Sequence, residues 1–327
     1  MTATPGTPSQ GAQSRLFVEP GSSPYTWDTD SERYEFLHEN LQLHESFVYT
    51  NGISGTRSQR VEQTRRKTRM VRGVIVMNVS PKYLTTWLPR VFGAAGSGAA
   101  GAQTFALAET IPSFGVLIDR VGGVFEYKNC FVNRWMLSGE QSDPDSDEPN
   151  FLTMAMEIFG FDETSPDGLA TDTGLDGDDV PTVPTIALPT TADYQYYLFD
   201  DMTVTLVAAD REIKKFQLML HNHLEPRWVA SATPTKLSAR HRTVMLETNN
   251  PFTVEDIALY NQLYSGYAGT LALTRLTCSS TFSFGALQKP RKSPVVPGKT
   301  ELELPLTLFA RMTGTTREIS CLSDSAV

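Results

Sequence analysis

The sequence predicts a β-rich fold with one or two short helices, built as two similar halves. Two observations predict it. Beyond Arg72, apolar residues recur with the two-residue period of strands over most of the chain. The order of strand, proline-containing turn, short helix and glycine stop also occurs twice, in GVIVMNVSPKYLTTWLPRVFG and in RTVMLETNNPFTVEDIALYNQLYSG. At 327 residues and 40% hydrophobic composition, the chain can bury one large core or two smaller ones.

The chain opens with MTATPGTPSQGAQSRLFVEPGSSP, rich in Pro, Gly, Ser and Thr and without periodicity, which reads as an extended arm over residues 1–55. Neighbouring subunits are the natural candidate for what holds it. Within it, Asp30 to Tyr49 fits a short helix or an extended segment anchored by Phe36, Leu37, Leu41 and Phe47. A first unit spans 56–160. Its run VRGVIVMNV, apolar on both faces, reads as a buried strand. Ser80-Pro81 then signals a helix, about Pro81 to Phe92, with Leu84, Trp87, Leu88, Val91 and Phe92 at helical spacing, Pro89 as a potential kink and Gly93 as its stop. The Gly122-Gly123 pair predicts a hairpin turn. After it, CFVNRWMLSGE sets Phe131, Trp135 and Leu137 on one face, and FLTMAMEIF does the same with Leu152, Met154, Met156 and Ile158.

A connection rich in Asp, Pro and Gly spans 161–199, and a second unit spans 200–327. In the second unit Phe216, Leu218 and Leu220 face a core, a helix is predicted over 253–264, and Leu302, Leu304, Leu306 and Leu308 alternate strictly.

The net charge of -9 conceals a segregation. From Trp135 to Asp210 there are 17 acidic residues and no Lys, Arg or His; the remainder carries 28 basic and 37 − 17 = 20 acidic residues, a balance of +8. Just upstream, Arg57, Arg60, Arg65, Arg66, Lys67, Arg69 and Arg72 crowd into a short stretch. Blocks of this kind mark solvated faces or complementary interfaces. No window approaches the roughly 18 apolar residues of a membrane helix. The first residues lack the basic and apolar regions of a secretion signal, so the chain reads as soluble and unsecreted, with no membrane partner. Cys130, Cys278 and Cys321 stand far apart without zinc-site spacing and read as reduced, structural thiols.

Active-site chemistry has little to stand on. His221-Asn222-His223 spells HNH, but the nuclease signature of that name separates those residues by tens of positions; a strand-end hydrogen-bonding role is the better reading. The glycine run Gly93 to Gly101 lacks the Lys-Ser/Thr of a phosphate loop and follows a helix instead of opening one. No nucleophile elbow is present. The acidic residues sit in Pro/Gly/Ser-rich loops with nothing apolar to raise a carboxyl pKa, which disfavours a jelly-roll enzyme acting on carbohydrate. The basic run contains no aromatic residue, which favours pairing between subunits over nucleic-acid contact. The sequence therefore reads as a non-enzymatic, self-assembling structural protein without catalytic residues, metal or cofactor.

The order of parts resembles the tail tube proteins of long-tailed bacteriophages, in the class with a duplicated tube fold. The resemblance rests on GISGTRS (Gly52 to Ser58), RGVIVMNVSPKYLTTWLPRVFG, PSFGVLIDRVGGVFEYKNCFVNRWMLSGE, and ELELPLTLFAR followed by REISCLS. It implies a β-sandwich or split barrel with flanking helices. The sheets of such a subunit join across copies into stacked rings, commonly of six, or of fewer, two-unit subunits given the internal duplication, forming a conduit for DNA ejection in the virion tail, assembled in the host cytoplasm. Tape measure, tail terminator and baseplate proteins are the implied partners, and DNA passes without specific binding. Under the resemblance, Arg57, Arg60, Arg65, Arg66, Arg69 and Arg72 are inter-subunit candidates, with Asp143, Asp145, Asp147 and Glu148 as their acidic counterparts. Asp172, Asp176, Asp178 and Asp179 are candidates for the lumen or its rim. A decoration or baseplate component is the alternative virion protein.

Overall fold

In the computed structural model the described residues are 13–25, 27, 31–49, 61, 64–99, 101–120, 123–142, 150–164, 195–253, 257, 266–289, 293 and 302–324. Strands dominate. The first half contains β1 (Arg15–Pro20), β2 (Glu32–Tyr34), β3 (His38–Glu39), β4 (Gln42–Tyr49), β5 (Thr64–Asn78), helix α1 (Pro81–Phe92), β6 (Ser97–Ala99), β7 (Ala102–Ala106), β8 (Phe114–Asp119), β9 (Val124–Glu140), β10 (Thr153–Gly160) and β11 (Asp162–Thr164). The second half contains β12 (Met202–Leu206), β13 (Ala209–Arg211), β14 (Lys215–His221), β15 (Leu224–Arg227), β16 (Lys236–Ala239), β17 (Thr243–Pro251), β18 (Tyr267–Arg275), β19 (Cys278–Gln288), β20 (Glu303–Arg311) and β21 (Ile319–Asp324).

All pairings are antiparallel. One layer runs β4-β5-β10-β9-β14-β17-β20. A second runs β12-β18-β19-β21-β7. The two meet at a corner where Ala286–Gln288 of β19 pair with Phe309–Arg311 of β20. Inward side chains of both layers share one core: Trp135 of β9 lies 5.8 Å from Phe282 of β19 and 6.4 Å from Phe92 of α1. Alternation reads as expected in β10, where Met154, Met156 and Ile158 are buried, in β14 at Phe216, Leu218 and Leu220, and in β20 at Leu304, Leu306 and Leu308.

The helix has the predicted bounds, for the predicted reasons. Ser80 caps it by accepting the Tyr83 N–H at 3.2 Å, Pro81 occupies the first turn, and Gly93 ends it in the left-handed region at φ 94°. Pro89 is accommodated inside it. Ser80→Ala should cost about 1 kcal/mol, measured by chemical denaturation. The predicted helix over 253–264 falls almost wholly outside the described residues.

Two features depart from the local reading, and a third resolves one of its alternatives. Segment 15–20 is a strand and not an arm: β1 pairs with β8 along its whole length and with β2. The reason lies in Leu-Phe-Val. Leu16 and Val18 fill the main core, while Phe17 packs on the other face with Leu117 and Val124, so both faces are satisfied within one protomer. Segment 31–49 takes the extended one of the two readings, with β2, β3 and β4. Arg120 clamps its middle, with Nε and Nη2 each 2.9 Å from the Glu39 carboxylate and Nη2 2.6 Å from the Leu41 carbonyl. That crossing explains Gly73, where a Cβ would meet the Leu41 Cα at 2.5 Å.

The other departure is a bulge. Register slips opposite Glu157 and Ile158, which pair with Arg134 and Val132 and leave Asn133 as the extra residue. The alternation flips there, so Val132 enters the core and Phe131 turns out to pack on Phe161 in a small second cluster with Met70, Phe159, Leu224 and Leu237. Phe131 therefore does not share a face with Trp135 and Leu137, as simple alternation predicts.

Candidate functional site

Thr64 to Arg72 is the first half of β5, paired with β4 as a long hairpin. Its residues separate into two groups by what they touch. Arg69 is committed inside the protomer, its Nη2 2.6 Å from Asp162, and the Arg72 guanidinium lies 4.9 Å from the Phe159 ring centroid. Toward the tip, Arg65, Arg66 and Lys67 are exposed. Arg66 makes only a partly solvated pair with Glu45 at 3.4 Å.

The pairing supplies what the run itself lacks. Phe47 stands opposite Arg66, Val48 opposite Arg65 and Tyr49 opposite Thr64, and these three apolar residues are 58%, 43% and 54% exposed. A register slip after Ser46 makes Lys67 the extra residue. The tip thus displays aromatic and cationic side chains together. Sequence reasoning missed this grouping because the aromatic residues are contributed by a different strand. Arg57 and Arg60 lie outside the described residues, as do Asp143, Asp145, Asp147 and Glu148 and also Asp172, Asp176, Asp178 and Asp179.

A second surface is the outward face of the β5-β10-β9-β14-β17-β20 sheet. Register aligns Val76, Ala155, Met136, Met219, Met245 and Phe309 in one transverse apolar row. All six are half-buried and belong to none of the core clusters. Two ion pairs lie on the same face, Arg134 with Glu157 at 3.6 Å and Lys215 with Glu140 at 2.5 Å, while Arg311 rests over the Phe309 ring and Glu247 accepts from Thr307.

Nothing resembling catalytic machinery appears among the described residues. They contain no group of His, Cys, Asp and Glu able to hold a metal. The three cysteines are free and buried, and burial pushes the Cys130 and Cys321 thiols far up, away from the reactive thiolate. No described helix is long and apolar enough to cross a membrane.

Comparison with curated proteins finds no match. Among solved structures, a chain in the cryo-EM structure of the anti-feeding prophage baseplate, six-fold symmetrised, matches with 17% identity and a TM-score of 0.26, over 50% of this chain and 95% of that one. A score that low adds no support to either fold or function. The family of the phage tail tube protein matches residues 3–308, nearly the whole chain, over the β-rich architecture just described. The chain belongs to the phage tail tube protein family.

Proposed function

We propose that copies of this chain join sheet to sheet into rings, six per ring, which stack into the tail tube through which DNA is ejected. Family membership gives the structural, tail-forming role. The observation that carries the mode of assembly is the outer side of β20. From Glu303 to Leu308 it has no strand partner among the described residues, and Ser46–Tyr49 at the tip of β4 are likewise paired on one side only. Open edges invite pairing, and ring closure satisfies them. In this reading residues 56–160 and 200–327 are two tube units bridged by 161–199. The β9–β14 pairing and the shared core join strands of both halves in one body.

Stacking would set the Arg65, Arg66 and Lys67 tip of one ring against acidic residues of the next, with Asp143, Asp145, Asp147 and Glu148 as counterparts and Arg57 and Arg60 alongside. The outward sheet face would line the bore, with Asp172, Asp176, Asp178 and Asp179 at its rim. Each cation free to meet phosphate makes DNA binding more favourable, so a bore lined by this apolar row, with few free cations beside it, would let DNA slide. Tape measure, terminator and baseplate proteins would contact the ends or the bore, and assembly would take place in the host cytoplasm.

The test is polymerisation. Purified chain, alone or seeded, should form hollow rods under negative stain, with six-fold rings in end view; particles that never elongate would indicate a decoration or baseplate component instead. A Met219→Lys tube should retain double-stranded DNA on cosedimentation at low salt, where the native tube does not.

A further inference from the structure

Three of the five histidines converge in space. His221 ends β14, His223 follows one residue later, and His241 precedes β17. The His221 and His223 rings are stacked with centroids 3.7 Å apart and 28° between planes; His223 and His241 stack at 3.8 Å and 22°. Between the first two, Asn222 is buried and its amide donates to the Val132 carbonyl at 3.1 Å, while its backbone N–H donates to the Asn133 carbonyl at 2.7 Å. The bulge at Asn133 thus fixes the chain where the stack begins.

The stack sits at the neck of an excursion. β14 and β17 pair up to His221 and Thr243, and everything between them leaves the sheet to form the β15–β16 hairpin. His221 and His223 come from the outgoing limb and His241 from the returning limb. The stacked rings therefore tie the two limbs together.

The surroundings offer little to a positive charge there. On the sheet, Arg134 of β9 and Glu157 of β10 face His221, and those two are already paired with each other. The Asn133 amide nitrogen lies 3.3 Å from His221 Nε2, and the Thr243 hydroxyl 3.1 Å from His223 Nε2. Of the remaining charges, Arg242 donates to the Ala108 carbonyl, and Arg240 pairs with Glu225 across β15 and β16. Burial is the main cause lowering both His221 and His223 below the ordinary imidazole range. For His223 the two neighbouring rings add to it; for His221, Glu157 opposes it while Arg134 and His241 reinforce it.

We propose that the His221–His223–His241 stack is a proton-controlled latch on the excursion 222–242, closed when His221 and His223 are neutral and loosened when they are protonated. Neutral imidazoles stack favourably at these distances; two imidazolium rings at the same distance repel. The sign follows from linkage. The folded pKa values lie below the unfolded value of 6.5, so the unfolded neck binds protons more readily, and the latch's stability, complete above 6.5, is lost as pH falls through the folded values. The excursion also touches the basic strand, since the Ala232 carbonyl accepts the Arg69 N–H at 2.8 Å. Loosening the latch would free that edge of β5, a consequence for polymerisation that rests on the function proposed above; the latch itself does not.

Hydrogen–deuterium exchange of the unassembled full chain tests it. After correction for intrinsic exchange, residues 224–240 should lose protection about tenfold or more between about pH 7.5 and about pH 5.5, with β17 unchanged. His223→Phe, which keeps an aromatic ring and removes one of the two titrating groups, should respond several-fold less than the native chain, His221 alone remaining. His241→Gln, at an exposed position, should respond several-fold less than the native chain should the first variant misfold. Equal protection at both pH values in the native chain, or a native-like pH response in either folded variant, overturns the latch. Assembly measured at the same two pH values separates the claims: an intact exchange response with pH-independent rods retains the latch and removes its link to polymerisation.

Discussion

Reversing Arg65, Arg66 and Lys67 together to glutamate should abolish tube growth under conditions where the native chain forms long rods. The expectation rests on the division seen along β5. These three side chains are exposed at the hairpin tip, beside Phe47, Val48 and Tyr49, whereas Arg69 is paired with Asp162 and Arg72, though exposed, lies over the Phe159 ring. Arg69 is left intact because reversing it would set two like charges together inside the protomer and confound folding with assembly. Exposed positions of this kind change protomer stability by only about 0.5 kcal/mol or less, so the triple variant should melt like the native chain. Negative stain and a thermal melt check the two halves of the expectation. Rods of normal length from the folded variant would remove the basic tip from the assembly interface. Because the pairs are solvent-exposed, native growth should also slow with added salt.

Trp135→Ala should destabilise the protomer by about 3–5 kcal/mol. Trp135 is fully buried, and its ring touches Phe282 in the opposing layer and Phe92 in α1, so truncation opens a cavity where three elements meet. Its indole N–H has no hydrogen-bond partner, so Trp135→Phe, which retains most of the ring contacts and deletes that donor, should cost well under half as much. The next residue gives the contrast. Met136 points to the opposite, open face, and Met136→Ala should fall within about 1 kcal/mol of native. Denaturant titrations followed by circular dichroism compare the three. A similar loss at both positions would contradict the two-faced reading of β9.

These contrasts mark where local sequence suffices. The bounds of α1 are legible because Ser80, Pro81 and Gly93 act on their own backbone: a side-chain cap, a preset φ and a left-handed stop need no distant partner. The alternation of β10, β14 and β20 is legible for the same reason, since successive side chains of a strand take opposite sides. The side on which Phe131 falls is not legible, because the Asn133 bulge is set by register against β10. The hairpin tip is half legible: its cations are consecutive in sequence, but their aromatic companions arrive through pairing with β4.

The sequence by itself therefore determined a β-rich chain with a capped helix between strands, a segregation of charge, and the absence of any spaced catalytic set. Each of these depends on neighbours a few residues apart or on composition alone. Tertiary structure decided that the first strand belongs to the protomer's own sheet, which basic residues remain exposed for a partner, and that three histidines separated by up to twenty positions become a stack. Those outcomes come from competition among distant segments for the same sheet edges and core volume, and only the folded chain resolves that competition.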